Sequence, residues 1–353
     1  MNLYNFFKNK RVLVTGHTGF KGSWLVTWLN ILNCEVMGIS LSPVKGDNHF
    51  KILKKNLNII DNRADIRNEK HLKKLVKQFK PDIVFHLAAQ AIVSTSYSQP
   101  KLTFETNVLG TFNLLAALAD LKHKCIAVFV TSDKCYKNIE VTRGYTETDE
   151  LGGDDFYSSS KASAELIINS FYKSFIKDKN TFLRVATARA GNVVGGGDWS
   201  KNRLIPDCVK SWSKKQTVIL RNPNSTRPWQ HVMEALSGYL NLAYQLNKDK
   251  KLNGESFNFS NNEIKNFTVL KFIKGIQKYW KNARWKVHKK SSFYESTLLQ
   301  LNSNKAKKVL NWKNKLKLSE TIKLVGEWYT AYYESNKKKI LTKEQIIFYM
   351  RKK

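Results

Sequence analysis

Cysteine, acidic residues and long apolar runs are scarce in this sequence, and each shortage excludes something. The four cysteines (Cys34, Cys125, Cys135, Cys208) lie far apart with no Cys-x-x-Cys pair, which excludes a disulfide framework, a zinc ribbon and a thioredoxin-like centre. Seven histidines without clustered partners imply no metal. No apolar run approaches the ~18 residues of a membrane span, and mean hydropathy is -0.43. The opening MNLYNFFKNK enters the strand-like RVLVTG without the apolar core of a secretory leader. A soluble, cytoplasmic chain in a reducing compartment is the expectation. Acidic residues number 28 against 60 Lys and Arg, a net charge of +32. Because the basic residues are scattered, with only short clusters such as Lys337-Lys338-Lys339, they read as a solvated surface rather than a polyanion site, one that helps attract an anionic substrate.

What is present is ample core: 42% hydrophobic and 12% aromatic residues over 353 positions, a length that suggests two domains. Apolar β-branched runs at 11–16, 35–40, 82–89, 126–132 and 181–190 alternate with amphipathic stretches at 22–33, 69–79, Leu102–Leu121 and Ser159–Phe175. That alternation predicts βαβ units, and hence an α/β fold with a doubly wound parallel (Rossmann) sheet and a smaller C-terminal α/β substrate domain. The Gly/Asn/Pro-rich stretch from Gly191 to Pro206 breaks the rhythm. The division expected is 1–190 for the dinucleotide-binding domain, 191–336 for the substrate domain and 337–353 for a terminal helical tail.

The first strand runs into Thr15-Gly16-His17-Thr18-Gly19-Phe20-Lys21-Gly22. Gly16 suits the tight turn, Gly19 the approach of backbone to a pyrophosphate and Gly22 close packing of the helix, whose N-terminus holds the anion. Thr18, Phe20 and Lys21 complete the turn, and Lys21 adds a cation. The acid expected about 20 residues on, to grip a ribose 2′-hydroxyl, is replaced by Ser40 and Leu41, with no Arg at the strand end for a 2′-phosphate. NAD is therefore favoured over NADP. Asp65 and Ile66 read as meeting the adenine edge, and Leu87-Ala88-Ala89 as the next strand's contribution to the cofactor site.

Tyr157 and Lys161 stand at i, i+4, one helical turn apart on one face. A phenol with an ordinary pKa near 10 becomes a usable base only beside a fixed cation. Thr131-Ser132-Asp133-Lys134 falls at the C-terminal end of a strand, where open α/β sheets bind ligands.

The ordered motifs TGHTGFKGSW, FHLAAQ, TSDKCY, YSSSK, RAGNVVGGGDW and RPWQHV resemble the extended short-chain dehydrogenase/reductase family, most closely its CDP-glucose 4,6-dehydratase branch, over about residues 8 to 335. The resemblance implies that Tyr157 takes the proton of a sugar 4-OH, Lys161 lowers the phenol pKa and binds the nicotinamide ribose, and Ser132 positions the 4-oxygen. It implies that Asp133 protonates the departing 6-OH. Related dTDP-glucose dehydratases place a Glu base at the Lys134 position, so Lys134 is either the C5 base or half of a structural ion pair. Asn192, Arg203 and Arg227 resemble substrate contacts, with Arg227 suited to the diphosphate. His86, His231 and Trp229 read as core.

The sequence departs from the branch at Tyr294-Glu295-Ser296, where His-Glu-Ala is usual, and at Leu301-Asn302, where Leu-Asp is usual. Two other readings stay open. A 4-epimerase needs Tyr157, Lys161 and NAD, but in the family carries small neutral residues at 133 and 134. A nucleic-acid binder on a retained dehydrogenase fold would suit the charge but has no need of Ser132, Asp133, Tyr157 and Lys161 together; no nucleic-acid or membrane partner is expected. The helices Leu102–Leu121 and Ser159–Phe175 carry more apolar surface than one sheet face requires, and in the family their equivalents pair as a four-helix bundle across a twofold axis, so a homodimer is expected.

Overall fold

The strands are β1 (Arg11–Thr15), β2 (Glu35–Ser40), β3 (Ile60–Arg63), β4 (Ile83–His86), β5 (Cys125–Val130), β6 (Leu183–Ala190), β7 (Val193–Val194), β8 (Val218–Leu220), β9 (Gln230–His231), β10 (Ser256–Phe259) and β11 (Trp285–Val287). The helices are α1 (Leu3–Phe7), α2 (Phe20–Ile31), α3 (His49–Leu53), α4 (Glu69–Phe79), α5 (Val93–Ser98), α6 (Pro100–Phe104), α7 (Gly110–Ala119), α8 (Phe156–Phe171), α9 (Leu204–Ser213), α10 (Val232–Lys248), α11 (Val269–Gln277), α12 (Asn304–Leu310), α13 (Leu318–Glu334) and α14 (Thr342–Arg351). The computed structural model describes residues 3–43, 46–179, 181–200, 203–220, 222–226, 228–261, 267–281, 283–287, 299–335 and 339–352.

Seven parallel strands form the main sheet in the order β10-β6-β5-β4-β1-β2-β3. The order reverses between β1 and β4, and this reversal opens a crevice at the carboxyl ends of the strands. Alternate residues of β1 feed two cores, Val12 and Val14 on one face and Leu13 on the other, because strands covered by helices on both sides bury both faces. On one face lie α4, α7 and α8; on the other, α2, α10 and the C-terminal helices. The fold expected from the alternating runs is the fold observed.

Several details follow from local chemistry. α2 is apolar nearly all round, with Trp24 and Trp28 buried, because the sheet covers one side and α10 and α14 the other. β3, sequence IDNR, is a partly exposed edge strand, so no apolar run marks it. The two long helical stretches form as expected, each with one π-helical turn, Glu105–Leu109 between α6 and α7 and Tyr172–Ile176 after α8. The chain returns to the sheet after residue 190, since β10 pairs with β6 and α10 packs on β5 and β6. Of the tail, α14 sits in the core: Ile346 and Tyr349 are buried, and the Tyr349 hydroxyl donates to Glu234 at 2.7 Å. Among the described residues no helix is long and apolar enough to cross a membrane.

Candidate active site

The turn after β1 is built for close backbone approach. Gly16 has a φ of +75°, and a Cβ there would lie 2.7 Å from the Ala88 nitrogen and 2.8 Å from the Leu87 carbonyl carbon. Any side chain would drive the turn away from the end of β4. A Cβ on Gly22 would lie 2.2 Å from the Gly16 carbonyl oxygen, so glycine alone lets the first turn of α2 rest on the loop. Gly19 is the N-cap residue of α2, and beyond it the first N–H groups of the helix lack intrahelical partners. This cradle of glycines, capped by a helix N-terminus and walled by Leu87 and Ala88, fits a dinucleotide pyrophosphate.

The two expected ribose and adenine contacts are both tied to neighbours. Ser40 shares a 2.7 Å hydrogen bond with Thr18, whose hydroxyl also faces the Leu41 carbonyl at 3.3 Å. Asp65 pairs with Arg67 at 2.6 Å, and Arg67 also reaches Glu105 at 3.2 Å. Ile66 is buried beneath Gly110, and its carbonyl accepts from Asn113 at 3.1 Å. Arg63, in register with Ser40 on the next strand, is held by Asp61 at 2.8 Å.

At the end of β5, Ser132 caps a single 3₁₀ turn, Asp133–Cys135. Its hydroxyl donates to Asp133 at 2.9 Å and accepts from the Lys134 backbone N–H at 3.2 Å. Facing it, α8 begins at Phe156 and is capped by Asp155, which accepts from the Ser158 N–H at 2.9 Å. That start places Tyr157 and Lys161, both buried, in the first turns of α8, which packs against the 3₁₀ turn after β5. Burial pushes the Tyr157 phenol up to about 12, with the Ser132 side chain within hydrogen-bonding reach and Arg203 opposing the rise. Burial pushes the Lys161 ammonium down to about 8, with Glu165 among the groups that oppose it. Gly191 meets Asp133 so closely that a Cβ would lie 3.1 Å from its carboxyl oxygen.

Lys21 reaches away from the turn, its amine 3.4 Å from the Tyr239 hydroxyl. Burial, with Arg203 and Lys161 nearby, lowers its pKa to about 8, and Asp133 counteracts them. Lys21 thus joins the Asp133 side of the crevice. Arg203 precedes α9, pairs with Asp198 at 3.1 Å and faces the same centre. Lys134 is half-buried and forms no ion pair with a described residue. The Asn192 carbonyl accepts from the Gln230 N–H at 3.1 Å, where β7 pairs with β9. Arg227 and the departing Tyr294-Glu295-Ser296 lie outside the described residues. Leu301 bridges to Tyr145, whose carbonyl accepts from the Asn302 N–H at 2.8 Å. His86, His231 and Trp229 are all buried, as the sequence reading expects.

Three partners escaped the sequence reading. Tyr239 lies on α10 and reads as one more apolar position. Glu165 and Arg189 form a buried pair beneath Lys161; Glu165 carries the one available signal, continuing the Tyr157, Lys161 spacing by four.

A glycine cradle at the crevice of a doubly wound sheet, with a Ser–Tyr–Lys set beside it, defines a dinucleotide-dependent enzyme fold acting at a hydroxyl-bearing carbon. The family model described as GDP-mannose 4,6 dehydratase matches residues 13–325, and the chain belongs to that family. It is 40% identical to a CDP-glucose 4,6-dehydratase of Salmonella typhimurium over 98% of both chains. A dTDP-glucose 4,6-dehydratase structure from Bacillus anthracis, solved with NAD, superposes with a TM-score of 0.74 at 23% identity, covering 92% of this chain and 98% of the other. An epimerase from Methanothermobacter thermautotrophicus superposes at 0.80 with 22% identity, covering 95% and 96%.

Proposed function

We propose that the chain is an NAD-dependent nucleotide-sugar 4,6-dehydratase, a hydro-lyase, that converts CDP-glucose to CDP-4-keto-6-deoxyglucose. The observation that carries this reading is the placement of Asp133 and Lys134 directly after Ser132, opposite Tyr157 and Lys161. Oxidation at C4 alone needs only Ser132, Tyr157 and Lys161. An acid beside them serves a second reaction, loss of the 6-hydroxyl, and a 4-epimerase has no use for it.

When bound in the glycine cradle, NAD supplies the oxidant for C4 and later the reductant for C6, so it ends as it began. Gly16, Thr18, Gly19, Phe20 and Gly22 would hold the diphosphate side, with Ser40, Asp65, Ile66, Leu87, Ala88 and Ala89 lining the adenosine side, while Lys21 stands on the Asp133 side of the crevice. Tyr157 takes the 4-OH proton. The charge on Lys161, together with Lys21 and Arg203, favours the phenolate that burial disfavours. Ser132 holds the 4-oxygen. The resulting ketone acidifies H5, which Lys134, next to Asp133, removes and returns to C5 when hydride reaches C6. Asp133 passes a proton to the departing 6-oxygen, and water leaves. Within residues 191–336, the segments outside β10 and α10 would supply the nucleotide-sugar half, with Asn192, Arg203 and Arg227 toward the nucleotide diphosphate.

The working unit is a homodimer in the cytoplasm. Supporting this, Phe104, Leu109 and Phe112 along one helical stretch and Leu166 and Phe175 along the other are large apolar side chains left exposed, and a second copy would cover them as a four-helix bundle. Incubation with CDP-, dTDP-, GDP- and UDP-glucose in parallel tests the substrate: CDP-glucose alone should lose the mass of one water. Dehydration of a different nucleotide sugar, with CDP-glucose untouched, reassigns the nucleotide.

A further inference from the structure

A directed chain of hydrogen bonds joins the C-terminal helix to the cofactor turn. The Trp328 indole N–H donates to Thr342 Oγ1 at 3.0 Å, and Thr342 Oγ1 lies 2.7 Å from His49 Nε2. On the other side of the ring, His49 Nδ1 lies 2.7 Å from Ser23 Oγ, and Ser23 donates to the Phe20 carbonyl at 2.8 Å. All four side chains are buried. Ser23 has one proton and a carbonyl only accepts, so Ser23 must accept from the His49 Nδ1–H. A neutral imidazole then presents Nε2 as an acceptor, and Thr342 donates to it. Burial keeps the ring neutral by lowering its pKa to about 3. The sense of the chain is therefore fixed from indole to hydroxyl to imidazole to hydroxyl to carbonyl, and cutting any link leaves a buried polar atom without a partner.

The far end of this chain is the first residue of α2, where the helix N–H groups face the pyrophosphate cradle. The same rings also support the loop that follows β7. A Cβ on Gly197 would lie 2.5 Å from the His49 ring, and one on Gly196 would lie 2.0 Å from the Trp328 indole. The Trp24 indole N–H donates to the Gly196 carbonyl at 2.9 Å. The tail is thus linked, through His49 and Ser23, to the turn that would hold the cofactor.

We propose that Thr342 is a positioning residue for NAD, fixing the first turn of α2 through His49 and Ser23; this rests on the NAD reading given above. Calorimetric titration of NAD into the cofactor-stripped full chain tests it. Thr342→Val keeps the side-chain shape and removes the hydroxyl; it should raise the NAD Kd about ten-fold, with kcat at saturating NAD within about twofold, the signature of a shifted binding turn rather than a lost chemical group. Thr342→Ser should restore the wild-type Kd. Ser23→Ala, which cuts the chain at its other end, should give the same rise and serves if Thr342→Val does not fold. Tyr349→Phe, on the same helix but off the chain, should lower the melting temperature and leave the Kd unchanged. An unchanged Kd in both Thr342→Val and Ser23→Ala, or an equal rise in Tyr349→Phe, overturns the role of Thr342 while the NAD reading stands. A wild-type chain that binds no NAD overturns both.

Discussion

Arg189 grips Glu165 through two charge-assisted hydrogen bonds of 2.9 Å, Nε to Oε1 and Nη2 to Oε2, with both side chains buried. Glu165 stands one turn beyond Lys161 on α8 and also accepts from Thr131, which lies beside Ser132 just past the end of β5, and from Thr187 on β6 at 2.9 Å. The pair thereby ties the helix that carries Tyr157 and Lys161 to the strand end that carries Ser132. Glu165→Gln leaves the guanidinium buried without a counter-charge, and breaking such a pair costs on the order of 3–5 kcal/mol. Urea denaturation should show a loss of that size. A loss below about 1 kcal/mol, the value of an exposed pair, would contradict this account.

Tyr157→Phe removes the proton acceptor and keeps the ring that fills its buried place. The rate should fall at least ~100-fold, the scale of one proton-transfer group, with the melting temperature little changed. Near-normal turnover would move the base elsewhere.

Asp133→Asn separates oxidation from elimination. The amide keeps the shape of the carboxyl but has no acid proton to give the 6-oxygen, while C4 oxidation asks nothing of residue 133. Rapid-quench analysis of this variant should find a 4-keto sugar that retains its 6-hydroxyl, accompanied by the near-ultraviolet absorbance of reduced nicotinamide. Dehydration at the wild-type rate would remove Asp133 from the acid role.

Three buried imidazoles, His49, His86 and His231, are each held near a pKa of about 3 by burial. Their unfolded pKa is near 6.5, so below that pH the unfolded chain binds protons that the folded chain refuses. Stability is therefore complete above about pH 6.5 and falls with acidification, by about 2 kcal/mol per imidazole at pH 5. Urea midpoints taken from pH 7.5 to pH 5 should fall steadily, and His49→Gln, if folded, should show a shallower fall. A midpoint flat across this range would show that these rings are not buried neutral.

Light scattering at working concentration should give twice the chain mass of 40.8 kDa. Leu109→Glu together with Leu166→Glu places like charges on the exposed helix face and should yield monomers. A monomeric wild type would leave that apolar face without the second copy assigned to it.

Legibility in the sequence followed how tightly chemistry fixes a residue type at a spacing. Gly16 and Gly22 were readable because a Cβ at either would strike backbone, and Tyr157 with Lys161 because a helix sets their separation. β1, β2 and β4 to β6 announced themselves as apolar runs; the edge strand β3 did not. The Glu165–Arg189 pair joins α8 to β6, a contact no local pattern encodes. Thr342 and His49 meet across 293 residues of sequence, and Lys21, read as a phosphate neighbour, lies beside Tyr239 because α10 packs on α2.

The most direct test of the central claim uses CDP-glucose carrying deuterium at C4. The product should be lighter by one water and should retain the deuterium, now at C6 by NMR, with no net consumption of NAD. A product of unchanged mass with C4 inverted, or deuterium found in free reduced cofactor, would contradict the assignment of this chain as a 4,6-dehydratase.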